Sequence, residues 1–281
     1  MDSEQKYPIR EVSQITGVNP VTLCAWQRRY GLIKPERRQS GHRLYSDDDI
    51  QLIRQILNWL DKGVSIGQVR SLLDNPENET VNDNWINIQN ELMTLALSLK
   101  LNQLEALITE TCKLYPAELW LRKIIEPWLK QLSMLQRPDK DLIEQAARNQ
   151  LSSKIEKMIS IQTGPRIALL QAGNLSLLDA QLARYELQSL ECRCYDLGQV
   201  DPVQLLLLSE RLQVQAFIIL LGSGLSANWF SDRISKLPDN CYYSGEMGQI
   251  YHSKKWLKSP YTASITQLVK QHEKSFGLVQ K

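Results

Sequence analysis

Apolar positions recur at helical spacing through the first 75 residues, again from 85 to 162, and from Arg166 onward collect into short runs between amphipathic stretches. The first stretch, I-R-E-V-S-Q-I-T at 9–16, predicts a short amphipathic helix, and Gly17-Val18 a turn. Asn19-Pro20 then marks a helix start. The asparagine side chain can accept a free first-turn N–H, and the proline stands where a missing donor costs nothing. In this helix, residues 20–30, Leu23, Trp26 or Gln27, and Tyr30 share an apolar face, while Thr22, Ala25, Arg28 and Arg29 share the opposite one. Gly31 stops it. Residues 34–45 are irregular and basic, with Arg37, Arg38 and Arg43 around Gly41, a pattern predicting a β-hairpin. Ser46 caps a third helix with Asp47, Asp48 and Asp49 in its positive first turn and Ile50, Ile53, Ile56, Leu57 and Leu60 as its stripe; Ser65 starts a fourth.

A polar stretch without periodicity, 75–84, separates this module from four predicted helices over 85–162, the third begun by Pro116 and the fourth preceded by Pro138-Asp139. Four helices of that length imply a small bundle. From Arg166 the period changes. Strands are predicted at 166–172, 192–198, 216–222 and 241–245, with helices at 177–190, 201–212 and 226–237 between them. Such alternation implies a parallel, Rossmann-like sheet with right-handed crossovers, whose ligands bind beyond the carboxyl ends of the strands. Gly173, Gly198, Gly222, Ser223 and Gly224 fall on that edge. The expected fold is therefore mixed: a winged helix-turn-helix over 1–75, a four-helix bundle over 85–162 and an α/β sheet over 165–281.

Charge sharpens the reading of the N-terminal module. The 281 residues carry 33 Lys and Arg against 31 Asp and Glu, a net +2. Between Trp26 and Arg43 alone, six basic residues face one acid, Glu36. Basic charge is thus concentrated where helix-turn-helix order would meet a polyanion. Residues 20–30 suit the major groove and residues 34–45 the backbone, with Thr22, Arg28, Arg29, Lys34, Arg37, Arg38, His42, Arg43 and Tyr45 as expected DNA contacts. Arg28 and Arg29 read equally well as a solvated helix face when taken alone, His42 as a turn residue, and Tyr30 and Trp26 as core.

Other chemistries find little support. No run is long enough to span a membrane, and the first residues lack a signal-peptide core, so a cytoplasmic protein is expected. Five cysteines (24, 112, 192, 194 and 241) form no C-x-x-C pair and argue against a disulfide framework. Cys192 and Cys194, two apart on a strand, point to one face and read as buried small hydrophobes more readily than as a metal or redox pair. No phosphate loop, Ser/His/Asp set or paired carboxylates mark the sheet edge, so catalysis is not expected.

Residues 7–73 resemble the DNA-binding domain of MerR-family transcription regulators. The resemblance is carried by Y-G-L-I-K-P, R-R-Q-S-G-H-R-L-Y, S-D-D-D-I-Q-L-I and G-V-S-I-G-Q-V-R-S-L-L, in order and without gaps. W-Q-R-R-Y-G-L and G-H-R-L-Y are most similar to the branch with a cobalamin-binding-type C-terminal region, which includes light- or cobalamin-responsive repressors and regulators of curli and biofilm genes. A helix-turn-helix module of this size gains specificity from two half-sites, so a homodimer on double-stranded promoter DNA is expected, with RNA polymerase as partner and activation or repression as the outcome. The crevice of the C-terminal sheet is open to a small molecule, to a docking protein such as an anti-repressor, or to dimerisation alone. Cys24 departs from the family, which places a backbone-reaching arginine there. The metal-sensing relatives' long dimer helix and cysteine loop are absent.

The C-terminal two-thirds resemble the cobalamin-binding module in order of elements, in Y-D-L-G and in the Y-P…E-P pattern of the bundle. That family places D-x-H-x-x-G after the first strand, the histidine ligating cobalt. Here the three positions are Asn174, Ser176 and Asp179, and Arg148 and Asn149 align with the upper Glu-His pair. Serine offers cobalt no imidazole, asparagine cannot act as the carboxylate that orients one, and Asp179 replaces a bare glycine. No bound cofactor or metal is expected. A sequence-specific regulator is the favoured reading. A signalling adaptor whose sheet is the working surface, and a retained cobalamin photosensor, are the alternatives.

Overall fold

A computed structural model of the chain describes residues 6–37, 42–75, 83–160, 164–199, 201, 204, 211–234, 237–245, 247–257, 261–262 and 264–278. The chain forms two compact units, Met1–Lys154 and Ile155–Lys281.

The first unit opens with β1 (Tyr7–Pro8), α1 (Ile9–Thr16) and α2 (Pro20–Ala25), the last continued by a π-helical turn, Trp26–Tyr30. Gly17 and Gly31 end the two helices at φ 71° and 61°, where a side chain would be strained. Asn19 Oδ1 accepts from Thr22 N at 2.8 Å, the expected cap. Next come β2 (Glu36–Arg37) and β3 (Arg43–Tyr45), which form the antiparallel hairpin; β1 pairs on the other side of β3, Tyr7 opposite Tyr45. α3 (Asp47–Asp61) starts on a reciprocal capping box between Ser46 and Asp49. α4 (Ile66–Asp74) follows. Val12, Leu23, Trp26, Ile33, Tyr45, Ile53, Ile56, Leu60 and Val69 are among the buried side chains of this module.

Within the same unit stand α5 (Asn84–Leu97), α6 (Leu101–Leu114), α7 (Ala117–Trp120), a second π-helical turn (Leu121–Ile125) and α8 (Glu126–Ser133). Pro127 has no N–H to give the Lys123 carbonyl one turn back, and the helix widens there. Gln89 Nε2 on α5 donates to that carbonyl at 2.7 Å, and Gln131 Nε2 donates to Gln89 Oε1 at 2.9 Å, so the polar group sits in a bonded chain. Arg122 and Lys123 both pair with Asp61 at the end of α3, at 2.7 and 3.2 Å. Burial pushes the Asp61 carboxyl up, but the two cations outweigh it and hold it below the usual carboxylate range. The unit ends within α9 (Lys140–Met158).

The second unit is a four-stranded parallel sheet in the order β5–β4–β6–β7. Its strands are β4 (Arg166–Ala172), β5 (Arg193–Asp196), β6 (Ala216–Leu221) and β7 (Cys241–Ser244). β4 and β6 are buried along most of their length, as expected of strands covered on both faces. Ile167, Leu169, Ile218 and Leu220 pack with α10 (Leu177–Ser189) and α13 (Ile265–Gln271). The alternate residues Ala168, Leu170, Phe217 and Ile219 pack against Phe230 of α11 (Ala227–Ile234) and Tyr251 of α12 (Gly248–Ser253). The helix expected over 201–212 lies largely outside the described residues. Cys192 and Cys194 lie in one cluster, Cys192 buried and Cys194 packed partly against it, and burial pushes both thiols up to about 12.

Candidate nucleic-acid interface

The helix cap, the π-helical turn and the hairpin decide which basic side chains reach solvent. On residues 20–30, Arg28 and Arg29 are exposed, while Thr22, Leu23, Ala25 and Trp26 are buried. Thr22 is a correction to the sequence expectation. Its side chain points inward, and Oγ1 is buried without a hydrogen-bond partner. A helix whose buried face must cover a small core takes short residues into it regardless of polarity, so Thr22 and Ala25 face inward although helical periodicity predicts them on the polar side.

The two arginines differ. Arg29 Nη1 lies 3.4 Å from Glu110 Oε1 on α6, whereas Arg28 has no ion pair among the described residues. The last carbonyls of the helix, Tyr30 and Gly31, accept from Arg70 Nη1 on α4 at 3.3 and 3.4 Å. Gly31 itself is required by the left-handed turn at φ 61°.

In the hairpin, Lys34, Arg37 and His42 are exposed, and Arg38 lies outside the described residues. Arg43 Nε donates to Gln27 Oε1 at 2.7 Å, tying hairpin to helix. Tyr45 is the second correction: it is fully buried, opposite Tyr7 in the sheet, with its phenol pushed up to about 12 chiefly by burial. It belongs to the core, not to a DNA contact. Cys24 is half-buried.

Arg28, Arg29, Lys34, Arg37 and His42 together present exposed donors on one helix-turn-helix and hairpin module, which suits the phosphates and base edges of a duplex. Residues 7–76 match the family model described as MerR HTH family regulatory protein. The N-terminal domain is a MerR-type helix-turn-helix domain. The HTH-type transcriptional regulator MlrA of Escherichia coli (strain K12) is 43% identical over 130 residues, 46% of this chain and 53% of that protein. MlrA of Salmonella typhimurium (strain LT2) is 40% identical over 130 residues, again 46% and 53%. The HTH-type transcriptional repressor CarH of Myxococcus xanthus is 35% identical over 71 residues, 25% and 24%. The chain thus spans about half the length of these two MlrA relatives. These relatives of the MerR domain are transcription regulators, not enzymes, and no described helix is long and apolar enough to cross a membrane.

What sequence reasoning missed around the MerR domain is mostly nonlocal. Trp26 Nε1 donates to Leu114 O, 88 residues away, at 2.8 Å. Neither that bond nor Arg29–Glu110 leaves a local signature.

The carboxyl edge of the sheet is the second site the sequence points to. The strand order reverses between β4 and β6, and there the two loops bond to each other: Asn174 N donates to Ser223 O at 2.8 Å and Ser223 N to Asn174 O at 3.2 Å. Gly173 and Gly222 allow this approach, since a Cβ on either would fall within 2.5 Å of the opposite backbone. Tyr251 Oη donates to Gly222 O at 2.8 Å from the other side. Ser176 and Asp179 are bonded to each other in a capping box that starts α10: Ser176 Oγ donates to Asp179 Oδ2 at 2.8 Å, and Ser176 N to the same oxygen at 2.7 Å. The S-x-x-D signal was present in the sequence and explains these two residues as a helix start.

Proposed function

We propose that this chain is a sequence-specific, DNA-binding transcription regulator acting as a homodimer, with residues 20–30 in the major groove and the hairpin of residues 34–45 on the backbone. The observation that carries the reading is the exposed Arg28, without an ion pair among the described residues, on a helix whose opposite face is buried in a MerR-type domain. A single module of this size reads few base pairs, and two-fold pairing doubles the site. Three functional parts follow: DNA binding by 1–75, coupling by the helices of 85–162, and input through a Rossmann-like sheet domain at 165–281. RNA polymerase at the promoter is the downstream partner and the cytoplasm the compartment. Footprinting of the full-length chain on genomic fragments, its own upstream region included, tests this. Protected two-fold sites are expected; uniform, sequence-independent retardation would refute it.

The sheet domain does not fit a cobalamin. Its motif positions hold no imidazole, Ser176 and Asp179 are spent on each other, and the switch-point loops are joined by backbone hydrogen bonds. Input through a protein such as an anti-repressor, or through a small molecule, fits better at an open groove of ≈ 720 Å³ beside the edge strand β5, lined by Gln171, Arg184, Tyr195 and Asp196. That groove would equally serve a signalling adaptor, the competing reading, in which DNA binding is lost without consequence.

A further inference from the structure

On the recognition helix, the side chain most out of keeping with its neighbours is Val21. It is 62% exposed, in the first turn, while Thr22, Leu23, Ala25 and Trp26 are buried. Solvation gains nothing from an isopropyl group there. Asn19 caps the helix start through its bond to Thr22 N, so Val21 is held on an ordered turn and not on a fraying end. Seven residues on, two turns away on the same side, stands the exposed Arg28. Of the helix's arginines, Arg29 is drawn to Glu110, and the hairpin's Arg43 to Gln27. The outward face of the helix is therefore an apolar group at its N-terminal turn followed by a cation.

We propose that Val21 is a specificity-determining residue that packs against the C5-methyl of a thymine in the major groove. The proposal deepens the DNA-binding reading above and rests on it. The N-terminal residues of a recognition helix are those that meet base edges, and the thymine methyl is the one apolar feature the major groove offers. A β-branched side chain on a helix has essentially one rotamer, so the contact costs little ordering.

The test uses the full-length chain and duplexes selected by it from a random-sequence library at fixed salt. Each thymine of the enriched motif is replaced in turn by deoxyuridine, which lacks only the methyl, and binding is measured for wild type and V21A. One thymine per half-site should show a wild-type loss of about fourfold, the worth of one buried methyl group. V21A should lose a similar factor on the thymine duplex and be indifferent to deoxyuridine at that position, with an unchanged salt slope because no phosphate contact is removed. Thermal melts should show V21A folded, the side chain being on the surface. Equal binding by wild type and V21A, or losses from the two changes that simply multiply, would overturn the assignment alone. A wild-type chain that enriches no motif would overturn the DNA-binding reading and this assignment with it.

Discussion

Trp26 donates its indole N–H to the Leu114 carbonyl at 2.8 Å, inside the protein, and so fastens the helix of residues 20–30 to the C-terminal end of α6. Leu114 is among the last residues of that helix, where carbonyls have no partner within the helix. Tryptophan is well suited to the position, as a large apolar body with a single donor.

Replacing Trp26 with Phe removes the donor and leaves the Leu114 carbonyl buried without a partner. A stability loss of about 1–3 kcal/mol is expected, read as a lowered denaturation midpoint. Operator binding should weaken with it, because the helix loses its anchor. A W26F chain with unaltered midpoint and unaltered affinity would show that the bond does not hold the helix.

Arg28→Ala should lower operator affinity by about 1–3 kcal/mol if the guanidinium meets a base edge. Arg29→Ala should cost less, since Arg29 must first leave Glu110, and an exposed pair of this kind is worth at most about 1 kcal/mol. A gel-shift titration of both variants ranks them. Arg29→Ala as the more damaging change would reverse the assignment.

Arg43→Ala should weaken specific and random duplexes alike and flatten the salt dependence, because a phosphate contact releases counterions without reading sequence. It also breaks the bond to Gln27. Unchanged slopes over a salt titration would place the hairpin away from the backbone.

Glu186 supplies the pH dependence. Its carboxylate accepts from Ser264 Oγ and from Thr266 N, each at 2.7 Å, at the start of α13. Burial nevertheless pushes its pKa up, outweighing the hydrogen bonds with Ser264 and Thr266 that pull it down. A folded pKa above the unfolded value means stability fully present below the ordinary glutamate range and lost as pH rises through the raised value. Glu186→Gln keeps an acceptor and removes the charge. The variant should therefore gain on wild type as pH rises above the ordinary glutamate value of about 4.3. Denaturant midpoints that differ by a constant amount at all pH values would count against this.

Purified protein should be colourless, and adenosylcobalamin should neither change its visible spectrum nor make DNA binding light-sensitive. No histidine lies between His42 and His252, and the motif residues are engaged in capping α10. A stoichiometric, micromolar heat of binding in the dark would show instead that the crevice walls suffice.

The features legible along the chain rest mostly on contacts within a few residues. Asn19-Pro20, Gly17, Gly31 and Ser46 with Asp49 set helix ends through bonds that span one turn, and the periods of 3.6 and 2 separate the helical N-terminal region from the parallel sheet. The family resemblance of residues 7–73 belongs to the same class of information. Which side chains face the solvent depends instead on packing between distant segments. Position and chemistry along the chain point Thr22 and Tyr45 at DNA, yet both are buried, taken into the module's small core. Arg28 and Arg29 are alike in the sequence, and only the packing of α6 gives Arg29 the partner Glu110. The joining of Asn174 to Ser223 required two loops from different strands to meet, and only glycine at 173 and 222 lets their backbones come that close. Capping and periodicity are local energies written residue by residue; burial and pairing depend on partners tens of residues distant, which the chain specifies only once it has folded.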